Sequence, residues 1–170
     1  MGSSLLARLD ARDRALFARW TIERETTGRR AWTALTHLGG VCCSVAAALL
    51  PLAIEGPVRV AAMHAFLGLA ISHGIVQIIK RNVLRERPAL ERESLIASPD
   101  AFSFPSGHAT AAMAVAFIYA TAFPAFAVPL MVLAAAVGFS RVVLGVHYPG
   151  DVLAGQAIAV LTDLLVLSLR

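Results

Sequence analysis

The stretch "VRVAAMHAFLGLAISHGIVQII", residues 58–79, carries one charged residue, Arg59, in its whole length. About 20 consecutive apolar residues are what a helix needs to cross the ~30 Å hydrocarbon layer of a bilayer. In lipid the backbone must satisfy its own hydrogen bonds, so such a run reads as a helix. Glu55, Gly56 and Pro57 form a tight turn ahead of it. Similar segments cover residues 34–54, 109–123, 125–139 and 152–169, with Pro124 marking the break between the third and the fourth. Those two are short and are expected to borrow a turn from their flanks. The expectation is an all-α integral membrane helical bundle of about five transmembrane helices, forming one membrane-embedded domain over residues 1–170.

Bulk composition agrees. The chain is 58% hydrophobic and 15% charged, with a mean hydropathy of +0.71, whereas soluble domains carry about 25% charge. The net charge of +4 does not point to nucleic acid, because the arginines flank apolar runs and suit phospholipid headgroups or a phosphorylated ligand. Cys42 and Cys43 are adjacent inside an apolar run, which suits neither a structural disulfide nor a metal site, and they read as small apolar fillers. The N-terminal segment, 1–32, is too heavily punctuated by arginines and acids for a cleavable signal peptide. On a helical projection Leu5, Leu6, Leu9, Leu16, Phe17 and Trp20 fall on one arc, into which Asp13 intrudes. An amphipathic helix along the membrane surface is expected there.

Two polar inserts interrupt the apolar segments, at residues 80–104 and 140–151. Each crossing switches the membrane face, so both inserts and the N-terminal segment emerge on the same side. Three stretches on that face carry chemistry. In "KRNVLRERP", residues 80–88, Lys80 and Arg87 lie seven apart. If the second helix continues past Lys80, they share a face about 10 Å apart along the axis and grip one anion. In isolation, snorkelling at a membrane boundary is the better explanation of the pair. In "FSFPSGHATAA", residues 102–112, Pro105, Ser106 and Gly107 open the third helix, where free backbone N–H groups and the helix dipole favour an anion. Ser106 as a plain N-cap accounts for the serine and glycine but leaves His108 unexplained. In "SRVVLGVHYPGD", residues 140–151, Arg141 ends an apolar helix and Pro149 is placed to start the next. Asp151, four residues after His147, can orient one ring nitrogen and leave the other free as a nucleophile.

Together these put three cations, a glycine-containing helix start, two histidines and a carboxylate on one face, with no metal-ligand spacing around the histidines. That favours phosphate chemistry with charge supplied by lysine and arginine, and needs no metal or cofactor. Lys80–(six residues)–Arg87–Pro88, Pro105–Ser106–Gly107–His108 and Ser140–Arg141–(five residues)–His147–(three residues)–Asp151 resemble the complete three-part signature of the type-2 phosphatidic acid phosphatase family. The wider superfamily also includes vanadium haloperoxidases and glucose-6-phosphatase. The resemblance spans residues 80–151 and covers the first eighty only loosely; one N-terminal crossing of six-helix members is replaced by the amphipathic segment.

The resemblance implies that His147 attacks phosphorus in line to form a phosphohistidine and that Asp151 orients it. His108 would protonate the leaving group and later serve as base for water. Lys80, Arg87, Arg141, Ser106 and the Gly107 N–H would hold the phosphoryl oxygens. The implied substrate is a lipid phosphate or pyrophosphate, such as phosphatidic acid, phosphatidylglycerol phosphate, a polyprenyl (pyro)phosphate or a lipid A type phosphate. A vanadate-dependent haloperoxidase is the rival enzyme, against which the five apolar segments speak. A non-catalytic lipid-phosphate binding or transport module would not require His108, His147 and Asp151. Elsewhere, His73 and Gln77 share a helical face with Lys80 and read as bundle contacts, with a polar substrate entry as the other reading. His37 beside Gly39 and Gly40 is expected near the site, and His64 and Asp163 away from it in structural roles. Pro129 is expected to kink the fourth helix. Thirteen of the fifteen Lys/Arg lie on the active face, which by the positive-inside rule makes it cytoplasmic, whereas the family more often faces outward in bacteria.

Overall fold

The computed structural model describes residues 2–22, 28–88 and 102–169. Helix α1 (Gly2–Trp20) is followed by α2 (Arg29–His37), α3 (Val41–Leu49) with a 3₁₀ turn at Leu50–Ala53, and α4 (Pro57–Val83). After a polar loop come α5 (Gly107–Ala122), a 3₁₀ turn at Pro124–Phe126, α6 (Ala127–Val143) and α7 (Pro149–Ser168). Among the described residues the only extended pairing is one isolated bridge between Glu86 and Phe102.

Helix α5 lies at the centre, packed against α3, α4, α6 and α7. Ten of its 16 residues are Gly, Ala or Thr, and small residues let neighbouring backbones approach closely where lipid supplies no hydrophobic drive. Met113, Ala114 and Ala116 meet Ala134 and Ala159, Ala111 meets Ala48 and Leu69, and Ile118 meets Ala61 and Ala65. The larger apolar side chains point outward instead, among them Ile71 and Ile78 of α4, Val128 and Val132 of α6, and Leu153, Leu161 and Leu165 of α7. An apolar perimeter around a small-residue interior is the arrangement of a bundle whose solvent is lipid.

By length and composition, Pro57–Val83, Pro124–Val143 and Pro149–Ser168 can each cross a membrane, and the bent pair α2–α3 makes a fourth if it is one span. The 16 residues of α5 give about 24 Å of helix, short of a full crossing on length alone. The first apolar segment is therefore not one straight helix. It breaks by 44° between α2 and α3, at Gly39 and Gly40. A Cβ on Gly39 would fall 2.7 Å from the His108 carbonyl oxygen and 2.6 Å from Val137, so the break is where the chain presses directly on the start of α5.

Two further expectations change. Helix α4 does not continue to Arg87: it ends at Val83, and Leu84 takes the left-handed conformation at φ 52° with its N–H on the Lys80 carbonyl. Lys80 and Arg87 therefore do not share a helical face; a turn, not the helix period, sets their relation. Pro129 sits in the first turn of α6, where its missing N–H has no helical partner to lose, and only the 3₁₀ turn at Pro124–Phe126 lies ahead of it.

The arc on α1 is also divided. Phe17 is buried among Ala109, Val142, Tyr148 and Val152, and Trp20 meets Phe139 edge to face. Leu9 and Leu16 remain exposed, while Leu5 and Leu6 lie outside the described side chains. The helix docks at the corner of α6 and α7, and its end is tied down by Thr21 Oγ1 donating to the Val142 carbonyl and Ile22 N–H to that of Val143.

Candidate active site

The polar loop after α4 and the segment before α5 are stitched together. Ser103 N–H donates to the Arg85 carbonyl at 2.8 Å, and Ser103 Oγ donates to that of Glu86 at 3.0 Å. Lys80 Nζ reaches the Phe102 carbonyl at 3.4 Å. This clasp brings the first and second motifs side by side. The third joins them because Ser106 N–H donates to the Asp151 carbonyl at 2.9 Å.

Between α6 and α7 the chain folds back on itself. The N–H groups of Val146 and His147 both donate to the Arg141 carbonyl, with Gly145 at φ 77° turning the corner. His147 is thereby fixed beneath the end of α6, 2% exposed. Arg87 Nη1 lies 3.0 Å from its Nε2, and on the other side Asp151 Oδ2 lies 3.5 Å from its Nδ1. A guanidinium can only donate, so Nε2 carries the lone pair and the ring proton sits on Nδ1, facing the carboxylate. The 3.5 Å to Asp151 is longer than a good hydrogen bond; Oδ2 instead accepts the Tyr148 N–H at 2.9 Å. Burial, reinforced by Arg87 and Arg141 and opposed by Asp151, pushes the His147 pKa down to about 4. The imidazole is neutral at ordinary pH, with one defined lone pair.

A cavity of about 560 Å³ opens beside this histidine, and Lys80, Arg87, Gly107, His108, Arg141 and His147 form its polar end. Volumes of this size suit small-molecule ligands. Six of the eight residues singled out from the sequence thus line one space. Ser106 and Asp151 are fully buried and stand outside the lining. Ser106 does not cap α5 with its side chain, and its buried Oγ has no hydrogen-bond partner, so the plain N-cap reading fails. Away from the polar end, Val41, Val45, Phe66, Leu69 and Ala70 continue the wall, making an apolar lane between α3 and α4.

His73 and Gln77 also line the cavity. They contact each other at 3.2 Å, so the expected contact between helices is replaced by a polar step on the wall one and two turns from Lys80. His37, expected near the site, is close enough to His108 to act on its charge; a Cβ on the nearby Gly40 would lie 3.7 Å from His108 Nε2. Asp163 is fully buried, with its carboxylate against Gly68, and neither it nor His64 lines the cavity.

Three contributors escaped the sequence reading. Thr36, in α2, accepts a 2.8 Å hydrogen bond on its hydroxyl from Arg141 Nη1. Arg85 and Asp13 form a network behind Asp151. Nothing in their spacing marks them, although the intrusion of Asp13 into the apolar arc of α1 was a visible trace.

A profile of the PAP2 superfamily matches residues 61–170. The chain belongs to the PAP2 superfamily. Among PAP2 relatives, the decaprenylphosphoryl-5-phosphoribose phosphatase of Mycolicibacterium smegmatis is 42% identical over 93 residues, covering 52% of this chain and 48% of that protein. A lipid A 1-phosphatase of Rhizobium johnstonii is 34% identical over 101 residues, covering 55% of this chain and 41% of the relative. The match spans about half the length of these relatives. In solved structures the PAP2 fold recurs in the PAP2-type phosphatidylglycerolphosphate phosphatase of Bacillus subtilis, with a TM-score of 0.76 and 24% identity over 95% of this chain and 86% of that one. It recurs also in the LpxE protein of Aquifex aeolicus, with a TM-score of 0.79 and 22% identity over 91% and 93%.

Proposed function

We propose that this PAP2 protein hydrolyses a phosphate ester or pyrophosphate carried by a membrane lipid, through a phosphohistidine on His147. The observation that supports this most is the held, neutral imidazole: Nε2 bears the lone pair under Arg87, and Nδ1 faces Asp151. The phosphoryl group enters the polar end of the cavity, where Lys80, Arg87 and Arg141 meet its oxygens and disperse the charge that builds in the transition state. Nε2 bonds to phosphorus as the P–O bond to the lipid alcohol breaks, and His108, whose protonated form the negative charge of the bound phosphate favours, gives its proton to the departing oxygen. Positive charge that develops on His147 is met by Asp151. Water then attacks the phosphohistidine, His108 takes its proton, and phosphate leaves with His147 restored. Proton transfer of this kind contributes about 10²–10⁴-fold in rate.

The apolar lane between α3 and α4 suits a lipid chain, and the His73–Gln77 step lies between that lane and the cations. Two hydrogen-bonding side chains there favour a headgroup with its own hydroxyl or phosphodiester oxygens between scissile phosphate and tail. The phosphoribose named for the mycobacterial relatives is a headgroup of this kind. Phosphate release from a panel of phosphorylated lipids in detergent tests the reading, with halide oxidation in added vanadate assayed in parallel. His147→Ala is expected to abolish phosphate release. Unchanged hydrolysis in that variant would overturn the phosphohistidine, and halide oxidation without lipid hydrolysis would favour the haloperoxidase alternative.

A further inference from the structure

Behind the nucleophile lies a second charged assembly that the reaction just described does not use. Arg85 Nη1 donates to Asp151 Oδ1 at 2.7 Å, while its Nη2 donates to Asp13 Oδ2 at 2.8 Å and Asp10 Oδ1 at 3.0 Å. The guanidinium stacks on the Tyr148 ring, 4.2 Å from its centroid. Asp13 also accepts the Gly150 N–H on Oδ1 at 2.7 Å. One acid of α1 therefore grips both the arginine and the first turn of α7. Burial alone would weaken the charge of Arg85, but Asp151 and Asp13 outweigh it and hold its pKa above the ordinary value.

The geometry decides what this assembly does. Asp151 is 0% exposed, and its two oxygens have different jobs. Oδ1 is taken by Arg85, and Oδ2 is left between the Tyr148 N–H and His147 Nδ1. Turning the carboxylate about its terminal torsion would break the bond to Arg85, so the arginine sets which oxygen faces the imidazole and at what angle. Arg85 is in turn prevented from turning away by Asp13, which belongs to a helix more than seventy residues distant in sequence.

We infer that Arg85 is a positioning residue for His147, acting through Asp151, and that Asp13 makes the N-terminal helix part of the device that aims the nucleophile. The inference rests on the proposed role of His147 but reaches beyond it. It assigns to α1, whose described residues are absent from the cavity lining, an effect on turnover instead of on substrate binding. A misaimed attacking atom costs on the order of 10²-fold in rate for about 1 Å of displacement.

Four variants test it: Arg85→Gln, Arg85→Lys, Asp13→Asn and the double Asp13→Asn/Arg85→Gln. On a lipid phosphate that the parent protein hydrolyses, Arg85→Gln is expected to lower kcat roughly 10–100-fold with KM within about threefold, and Arg85→Lys to recover part of the loss. Asp13→Asn is expected to give a smaller fall of the same kind. The double variant should be no slower than Arg85→Gln alone, because both residues act along one path. A second readout needs no turnover. His147 is faced by Asp151 of α7, Arg87 of the loop after α4, Arg141 of α6 and His108 of α5, with Lys80 of α4 lining the same cavity. Removing the Arg85 charge leaves Asp151 to act on the imidazole uncompensated, so the His147 pKa should rise from about 4 by about one unit, followed by NMR of ring-labelled histidine in micelles. Parent-like kcat together with an unmoved His147 titration in Arg85→Gln would overturn the inference, as would multiplicative losses in the double variant. Should Arg85→Gln fail to fold, Arg85→Lys and Asp13→Asn carry the kinetic readout, and parent-like kcat in both would overturn the inference. A parent protein that hydrolyses no phosphorylated lipid, or a fully active His147→Ala, would instead overturn the phosphohistidine reading, and the titration would still judge Arg85.

Discussion

At the level of single residues, Thr36→Val keeps the shape and removes the hydroxyl under Arg141. The expected loss, about 1.5 kcal/mol for a hydrogen bond to a charged group, corresponds to roughly a tenfold fall in kcat/KM. The side chains of the cavity were legible because their chemistry is unusual for an apolar chain. Lysine, histidine and arginine at the ends of membrane helices are conspicuous, and Lys80, Arg87, His108, Arg141 and His147 do line one space. Supporting residues were harder to see, because Arg85 is one cation in a charged loop and Thr36 a hydroxyl no different from any other. Their partners lie 66 to 105 residues away, and no local pattern encodes such a distance. The pH dependence has a definite sign. With its pKa lowered to about 4, His147 stays neutral well below the ordinary histidine range, so the limb of kcat/KM that reports its deprotonation should lie near pH 4, not near 6.5. The same shift makes the unfolded chain bind the proton more readily than the folded one. Stability supplied by the buried neutral ring is therefore present above pH 6.5 and lost as the pH falls toward 4, a trend that thermal unfolding in detergent between those values will show.

Among the elements, helix existence was legible from apolar runs, and the start of α7 from Pro149, while helix ends were set by tertiary contact. Residues 34–54 read as one span because nothing in apolarity alone reveals that Gly39 presses on the His108 carbonyl. Helix α4 stops at Leu84 although no glycine marks a stop there, so the helical relation expected between Lys80 and Arg87 does not form. Close packing at α5 and α7 makes a testable contrast. A Cβ on Gly155 would lie 2.6 Å from the Ser106 carbonyl oxygen and 2.7 Å from Thr110 Oγ1, whereas one on Gly74 meets nothing within 4 Å. Gly155→Ala should destabilise by about 1–3 kcal/mol through overpacking and lower activity, since α7 also carries Asp151. Gly74→Ala, at an open position inside α4, should raise stability by up to about 1 kcal/mol. Detergent unfolding curves for the two variants should move in opposite directions.

For the whole molecule, composition alone announced a membrane bundle, and the exposed apolar perimeter agrees with it. What composition does not show is why the centre holds together: α5 offers mostly methyl groups to its neighbours, and the fit is steric. The two ends of the bundle differ strongly in charge. Arg59 stands at one end beside Glu55, and the arginines of α1 and of the loop after α4 gather at the other. The positive-inside rule then predicts a cytoplasmic cavity mouth and an external Gly56. A cysteine at Gly56, in a chain with Cys42 and Cys43 replaced by serine, should react with an impermeant maleimide added to intact cells. Protection from outside, with reaction only after lysis, would place the cavity mouth outward.

The contact between Arg87 and His147 has a last consequence. In the proposed mechanism the attacking lone pair is already occupied at rest, by the guanidinium that would also receive the phosphate. A neutral electrophile entering the cavity finds the imidazole engaged and has nothing with which to draw the arginine aside. A phosphate carries the negative oxygens that compete for it. On the proposed mechanism recognition and arming are then one event, and the imidazole stays engaged toward molecules that bring no negative charge.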